Sequence, residues 1–315
     1  MVIGKNILTV EQFDKSDIER IISLSETLEN NLKSKGESNL LVGKIMASLF
    51  FEPSTRTRFS FEAAMQRLGG KIITATGLTS VSIGKGESLA DTIRTVERFC
   101  DVIVMRHPEI DSSKNASALV KIPFFNAGDG AGEHPTQAFV DFYTIKKAQQ
   151  NVEGKKIALI GDLKYGRTVR SLIELLIIYG GAELYLVSPP ELELPDNYYE
   201  MMNHNNVKFV KTNNLNEAIA ECDVLYMTRI QKERFDDKDQ YERLKGSYIL
   251  NRQVMLNAKP DVSIMHPLPR IDEIDTELDS DPRAIYFDQV ENALYVRMAF
   301  LLVVFGKDGA LDENY

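Results

Sequence analysis

Hydrophobic positions recur along this chain in two alternating patterns. One is a short, nearly continuous apolar run. Such runs fall at 44–51, 71–76, 101–105, 122–126, 156–160, 183–187, 207–210, 224–227, 247–250 and 262–265. Runs this short, bounded by turn residues, predict buried strands. The other pattern is an apolar residue every three or four positions. Ile21, Leu24, Leu28 and Leu32 show it near the start, and Phe61, Ala64, Met65 and Leu68 show it again. Ala138, Phe139, Phe142 and Ile145 follow the same spacing, which predicts helices with one buried face. Ser16-Asp17-Ile18-Glu19 fits a capping box, with Ser16 expected to start the first helix.

Strand and helix patterns that alternate in this way predict α/β architecture with mainly parallel sheets flanked by helices. Ten strands are many for one sheet, so two sheets in two domains is the simpler arrangement. The weakest patterning near the middle is the polar stretch 146–154, which puts the junction near residues 135–153. A last helical pattern, about 290–305, is too apolar to stand alone and must pack on a partner.

Composition narrows this picture. A length of 315 residues suits two domains, and 43% hydrophobic with 26% charged residues excludes disordered and fibrous classes. The net charge of −9 argues against non-specific nucleic-acid binding and against an anionic membrane surface. Only Cys100 and Cys222 are present, without a Cys-x-x-Cys pair. That excludes a disulfide framework and the usual structural zinc site within the chain, and fits a reducing compartment. The longest apolar run, 298–305, is far short of the roughly 18 residues that span a bilayer. Residues 1–6 lack an apolar signal core, so a cytoplasmic protein is expected.

In open parallel sheets, ligands sit beyond the carboxyl ends of the strands. Glu52-Pro53-Ser54-Thr55-Arg56-Thr57-Arg58 follows one strand and opens a helix. Hydroxyls and guanidinium groups gathered at a helix N-terminus suit a phosphate. Arg106 follows another strand. The Gly-rich segment Gly128-Asp129-Gly130-Ala131-Gly132 leads to His134-Pro135-Thr136-Gln137, where His134 and Gln137 can face one site. In the second half, Gly161-Asp162-Leu163-Lys164-Tyr165-Gly166-Arg167-Thr168 nearly matches a nucleoside-triphosphate loop. Arg167 stands where that loop needs a lysine, and a planar fork does not replace a compact ammonium. Arg167 is instead suited to a carboxylate. Arg229 and Gln231 alternate onto one face after a further strand, and His266-Pro267-Leu268-Pro269-Arg270 follows the last. Taken singly, Arg106 or Arg229 reads as readily as a solvated strand end. Together they place phosphate chemistry in the first half and carboxylate chemistry in the second, and predict an active site in an interdomain cleft.

These motifs, in this order and over essentially the whole length, resemble the catalytic chains of the aspartate carbamoyltransferase family. Ser54-Thr55-Arg56-Thr57-Arg58 marks carbamoyltransferases generally. Pro267 stands where ornithine enzymes usually carry Cys, and Arg229-Ile230-Gln231 resembles the aspartate version. The resemblance implies carbamoyl transfer from carbamoyl phosphate to the α-amine of L-aspartate, a step of pyrimidine biosynthesis. It implies a carbamoyl-phosphate domain of residues 1–135 plus a C-terminal helix, 290–315, and an aspartate domain of residues 136–289. Ser54, Thr55, Arg56 and Thr57 are then expected to hold the phosphate. Thr57, Arg106 and His134 would reach the carbonyl oxygen, and Gln137 the carbamoyl nitrogen. Arg167, Arg229 and Gln231 would bind the aspartate carboxylates, Leu268 would offer its carbonyl to the amine, and Pro269 would shape that turn. Glu52 would pair with Arg167 and Arg234 as the domains close. A loop Lys, here Lys85, and a loop Ser, either Ser82 or Ser80, would reach a neighbouring subunit's site, which implies a homotrimer. No cofactor or metal is implied. Some members of the family assemble with a separate zinc-bearing regulatory chain, and the sequence leaves that partner open. It also leaves open the acceptor of the amine proton.

Three competing readings have different consequences. An ornithine carbamoyltransferase is opposed by Pro267 and Arg229. A nucleoside triphosphatase built on 161–168 is opposed by Arg167. A chain that binds anions without turnover has no use for Arg56, Thr57, Lys85, Arg106 and His134 together.

Overall fold

The computed structural model describes residues 5–36, 38–77, 82–230 and 238–310. They fall into two compact units, Met1–Val140 with Glu291–Tyr315, and Asp141–Val290. Both boundaries lie inside helices, so the units are joined by continuous backbone rather than by linkers.

The first unit holds a four-stranded sheet of β1 (Ile45–Phe50), β2 (Lys71–Thr76), β3 (Val102–His107) and β4 (Phe124–Asp129). Its order is β2-β1-β3-β4 and every pairing is parallel. Parallel neighbours need crossovers, supplied by α2 (Thr55–Arg67), α3 (Leu89–Val96) and α4 (Ser112–Ser117). From β1 the chain steps to β2 on one side and later to β3 on the other, so β1 and β3 flank the switch point of the sheet. The first helix, α1 (Lys15–Lys35), starts two residues earlier than the capping box suggests. Asp14 is the cap: its carboxylate accepts from the Asp17 N–H at 2.8 Å. Ser16 lies inside the helix and donates to that same carboxylate at 2.8 Å. A carboxylate is favoured over a hydroxyl here by the helix dipole.

Two helices pass from one unit to the other, α5 (Pro135–Gln149) and α10 (Tyr286–Val304). The end of α10 supplies the partner that its apolar composition demands. Phe300 meets Phe139 edge-on at 4.9 Å, Phe13 at 5.9 Å and Phe125 at 6.3 Å. Phe61 of α2 meets Phe125 at 5.5 Å, so one aromatic cluster ties α2, α5, α10 and β4 together. Edge-on pairs add about 0.5–1.5 kcal/mol each beyond burial. Among the described residues no helix is long and apolar enough to cross a membrane.

The second unit holds β5 (Lys156–Ile160), β6 (Glu183–Val187), β7 (Phe209–Thr212), β8 (Val224–Met227) and β9 (Ser263–Met265), in the order β7-β6-β5-β8-β9, all parallel. The crossovers include α6 (Arg167–Tyr179), α7 (Asp196–His204), α8 (Leu215–Glu221) and α9 (Lys238–Leu244). Here the switch point lies between β5 and β8. The apolar run at 247–250 does not form the expected strand. Ser247 closes the end of α9 by donating its N–H to the Leu244 carbonyl, and only Leu250 pairs, in a single bridge to Ile274. Tyr248 and Leu250 spend their apolar character in the core of this unit, against Ile264 and Leu278 among others. Burial of side chains, not backbone pairing, explains the run.

Candidate active site

The phosphate-like motif stands at the β1/β3 switch point. Ser54 is the N-cap of α2, with extended backbone and no capping bond from its hydroxyl. No acidic residue lies in the first turn. The Ser54 hydroxyl thus caps none of the first N–H groups of α2, and the dipole favours an anion there. Arg106, near the end of β3, reaches the same place. It donates to Glu52 Oε1 at 2.9 Å and to Ser54 Oγ at 3.4 Å. The β3–β4 pairing shifts register between Met105 and His107, which turns Arg106 relative to its neighbours.

His134 arrives from a distant part of the chain. It is buried, and its Nε2 stands 3.3 Å from Thr57 Oγ1. The segment that delivers it is held by two side chains. Asn126 Oδ1 accepts from Gly128 N–H at 2.9 Å and from Ser113 Oγ at 3.2 Å. Asp129 Oδ1 accepts from Glu133 N–H at 2.8 Å and from Asn126 Nδ2 at 3.1 Å. Asp129 Oδ2 takes the Asp111 N–H at 3.0 Å. Gly130 is required in this segment: it has φ +51°, and a Cβ would lie 2.4 Å from the Pro108 carbonyl. Asn126, Asp129 and Ser113 were missed by sequence reasoning. Asp129 stands between two glycines, but nothing beside Asn126 or Ser113 signals the role. Gln137 lies in the first turn of α5, its N–H donated to the His134 carbonyl at 3.0 Å. His107, beside Arg106, accepts the Glu109 N–H on Nδ1 at 3.1 Å. Burial pulls its pKa below the ordinary value of 6.5.

Ser82 and Lys85 form one short turn of 3₁₀ helix and are exposed. Among the described residues neither side chain hydrogen-bonds to the Ser54–Thr57 turn, Arg106 or His134. Ser80, Gln231 and Arg234 lie outside the described residues.

In the second unit the cationic residues also stand at the switch point. Gly161, just after β5, has φ +113°, and a Cβ there would lie 2.3 Å from the Thr228 carbonyl. The two strand ends thus touch backbone to backbone, which glycine alone allows. Arg167 is the first residue of α6, behind the N-cap Gly166. Asp162 is fully buried within this loop and accepts the Tyr165 N–H at 2.9 Å. That bond makes Asp162 part of the loop's own fold, and Arg167 in place of a lysine opposes the triphosphate reading. Arg229, two residues past β8, lines a small pocket with Gly161, Thr228, Ile230, Lys245 and Glu273.

The turn after β9 has an unusual backbone. Leu268 has φ +56°, and the Leu268–Pro269 bond is cis. The Leu268 N–H donates to His266 Nδ1 at 2.7 Å. His266 is buried, and its Nε2 lies 2.7 Å from Glu273 Oε1. Burial raises the Glu273 carboxyl, but the hydrogen bonds from His266 and the Ile271 backbone outweigh it and leave the pKa below the ordinary value. Arg270 is not directed to a ligand: it donates to Asp279 Oδ2 at 2.6 Å and to the Tyr286 hydroxyl at 2.9 Å. Neither thiol is activated. Burial pushes Cys100 up to about 11 and Cys222 up to about 12. Among the described residues no group of three His, Cys, Asp or Glu side chains could hold a metal ion.

Two parallel sheets, each with cationic side chains at its switch point, define a two-domain α/β transferase of anionic substrates. Residues 5–147 match the carbamoyl-phosphate-binding domain of the aspartate/ornithine carbamoyltransferases, and residues 153–304 match their aspartate/ornithine-binding domain. The chain belongs to the aspartate/ornithine carbamoyltransferase family. It is 50% identical to the aspartate carbamoyltransferase catalytic subunit of Thermococcus gammatolerans over 96% of this chain and 98% of that one. Among solved structures it resembles aspartate transcarbamoylase from Trypanosoma cruzi in complex with carbamoyl phosphate and aspartate. That likeness has TM-score 0.92 and 43% identity, over 96% of this chain and 97% of that one. The catalytic subunit of M. jannaschii aspartate transcarbamoylase is similar with TM-score 0.88 and 45% identity, over 98% and 99%.

Proposed function

We propose that this chain is the enzyme that transfers the carbamoyl group of carbamoyl phosphate to the α-amine of L-aspartate, giving N-carbamoyl-L-aspartate and phosphate. The observation that carries this reading is the meeting of Thr57, His134 and Arg106 beside the uncapped start of α2. Relatives at half identity are aspartate carbamoyltransferase catalytic subunits, and a similar T. cruzi structure holds both substrates. Pro267 and Arg229 favour aspartate over ornithine as the acceptor.

The chemistry follows from the groups present. Ser54, Thr55, Arg56 and Thr57 bind the phosphate through the helix start and the guanidinium. Thr57 Oγ1 and His134 Nε2 are 3.3 Å apart, so one carbonyl oxygen can accept from both. Arg106, held by Glu52, adds a third donor, and Gln137 takes the carbamoyl nitrogen. When the amine attacks, charge develops on that oxygen, where fixed donors stabilise it most. The carbon–oxygen bond to phosphate then breaks, and the departing phosphate takes the amine proton. Arg167, Arg229 and Gln231 hold the carboxylates of aspartate, and the Leu268 carbonyl, set by Pro269, accepts from its amine. Closure of the two domains brings Glu52 to Arg167 and Arg234.

Lys85 and Ser82 or Ser80 complete the site of a neighbouring chain in a homotrimer, and the exposure of Lys85 supports this. Mixing Lys85→Ala chains with Arg56→Ala chains then restores activity in hybrid trimers. No recovery, with hybrids shown to form, removes the shared site. A regulatory partner chain would bring its own metal ligands, since this chain has only two cysteines.

The decisive experiment measures ureido product from carbamoyl phosphate with L-aspartate, L-ornithine or no amino acid. Product with aspartate alone is expected. Product with ornithine alone overturns the assignment of the second domain, and no product with either overturns the activity.

A further inference from the structure

We infer that His266 is a positioning residue for the aspartate half of the reaction, a two-ended strut whose ring holds the Leu268 peptide in place. The inference rests on the reading above, in which the Leu268 carbonyl receives the incoming amine.

The hydrogen bonds around His266 leave one arrangement. The Leu268 N–H can only donate, so His266 Nδ1, 2.7 Å away, carries no proton. The neutral ring then bears its proton on Nε2, which donates to Glu273 Oε1 at 2.7 Å. The other oxygen of Glu273 accepts from the Ile271 and Asp272 N–H groups, each at 3.2 Å, and fastens the far side of the turn. The backbone of His266 is fixed as well. Its N–H donates to Gln289 Oε1 at 3.0 Å. The orientation of that amide is forced in turn, because its nitrogen donates to Asp141 Oδ1 at 2.7 Å and a carboxylate can only accept. Asp141 Oδ2 receives the Tyr226 hydroxyl at 2.7 Å. Each member therefore sets the direction of the next, from β8 through α5 and α10 to the turn.

The recipient of this order is a non-glycine residue at φ +56°. Backbone in that region needs an external hold to persist. His266 bonds to Leu268 itself, and it is buried to 1% exposure. Pro267 and Pro269 flank Leu268 and have no N–H to offer.

Two substitutions separate the ends of the strut. His266→Asn places an oxygen acceptor where Nδ1 stood and cannot reach Glu273. His266→Gln places a donor near the position of Nε2 and leaves the Leu268 N–H without an acceptor. KM for L-aspartate and for carbamoyl phosphate is measured for each in the full-length enzyme. The Gln variant should raise KM for aspartate about tenfold, the effect of leaving one buried donor unsatisfied, and the Asn variant about threefold or less. KM for carbamoyl phosphate should stay within about twofold in both. Equal rises in KM for aspartate, or a joint rise for both substrates, overturn the inference. Nitrogen-15 spectra of histidine-labelled wild-type enzyme test the strut without a variant: a neutral ring protonated on Nε2 is expected, and a proton on Nδ1 overturns it. Absence of product from the wild type with aspartate overturns the functional reading and this inference with it. Product from the wild type with indistinguishable variants overturns this inference alone.

Discussion

The two units hold cationic side chains at equivalent points of two parallel sheets, yet they hold them differently. In the first unit the set is mostly local. Ser54 to Arg58 is one stretch of sequence, and the start of α2 contributes its own backbone N–H groups. In the second unit no single stretch suffices. Arg167, Arg229 and Leu268 come from three strand ends, and the last is kept in place by Asp141, Tyr226, His266, Glu273 and Gln289. A phosphate is a compact anion that a helix start already suits. Two carboxylates and an amine at fixed separations need a frame assembled from distant parts. The first unit brings Arg106 and His134 to one local stretch by long-range contacts, while the second draws its candidate residues from three separate strand ends.

This contrast can be broken by experiment, beginning with the largest effect. Arg106→Ala removes a donor from the β1/β3 crevice and takes away the guanidinium that bonds the Glu52 carboxylate. kcat should fall about 10² to 10³-fold with the fold intact. A loss of less than about tenfold in steady-state turnover would mean that the first unit is not where the chemistry is stabilised. Arg229→Ala should act on the other substrate. One charge-assisted bond is worth about 1.5–3 kcal/mol, so KM for aspartate should rise about ten- to a hundredfold. Phosphate binding, followed by calorimetry, should not change. If phosphate binding weakens as much, the division of labour between the units is wrong.

Tyr226→Phe tests the frame rather than the ligands. It leaves Asp141 Oδ2 short of its hydroxyl donor in a fully buried place. Unfolding in urea should show a loss of about 1–3 kcal/mol. A change within experimental error would mean that the buried chain of hydrogen bonds is not a support.

The smallest effect is the order in which acid weakens the units. Burial lowers the His107 pKa below 6.5, so the unfolded chain takes up that proton first. The stability that neutral His107 provides is present above about pH 6.5 and declines as the pH falls through its folded pKa. The Glu273 pKa is lowered below the ordinary 4.5 despite burial, because of His266. Its contribution is present above that ordinary value and is lost only as the pH falls through its still lower folded pKa. Urea denaturation across pH should therefore lose less between pH 7.5 and 5.5 in His107→Gln than in wild type. Glu273→Gln should flatten only the more acid part of the profile. The reverse order would contradict the assigned environments.

Much of the fold was legible because apolar periodicity reports burial directly. The runs at 156–160, 183–187 and 224–227 became strands with those same limits. The failures have specific causes. Tyr248 and Leu250 satisfy the same periodicity by packing without pairing. Asp14 displaced Ser16 as the cap because two acceptors competed for one helix start. In the candidate site, the segments that carry chemistry stood out as polar groups after apolar runs. Their supports did not, since Asp141 and Gln289 are 148 positions apart and nothing local links them.

By itself, then, the sequence determined the α/β class, most strand positions and the residue types that can meet a phosphate and a carboxylate, because these follow from local periodicity and side-chain chemistry. Only the tertiary structure decided which strand ends flank each switch point. It also decided that α10 ends among Phe13, Phe125 and Phe139, and that a buried histidine holds the Leu268 turn. Those outcomes depend on strand order and on hydrogen-bond directions between residues far apart in the chain, which acquire meaning only when the chain is folded.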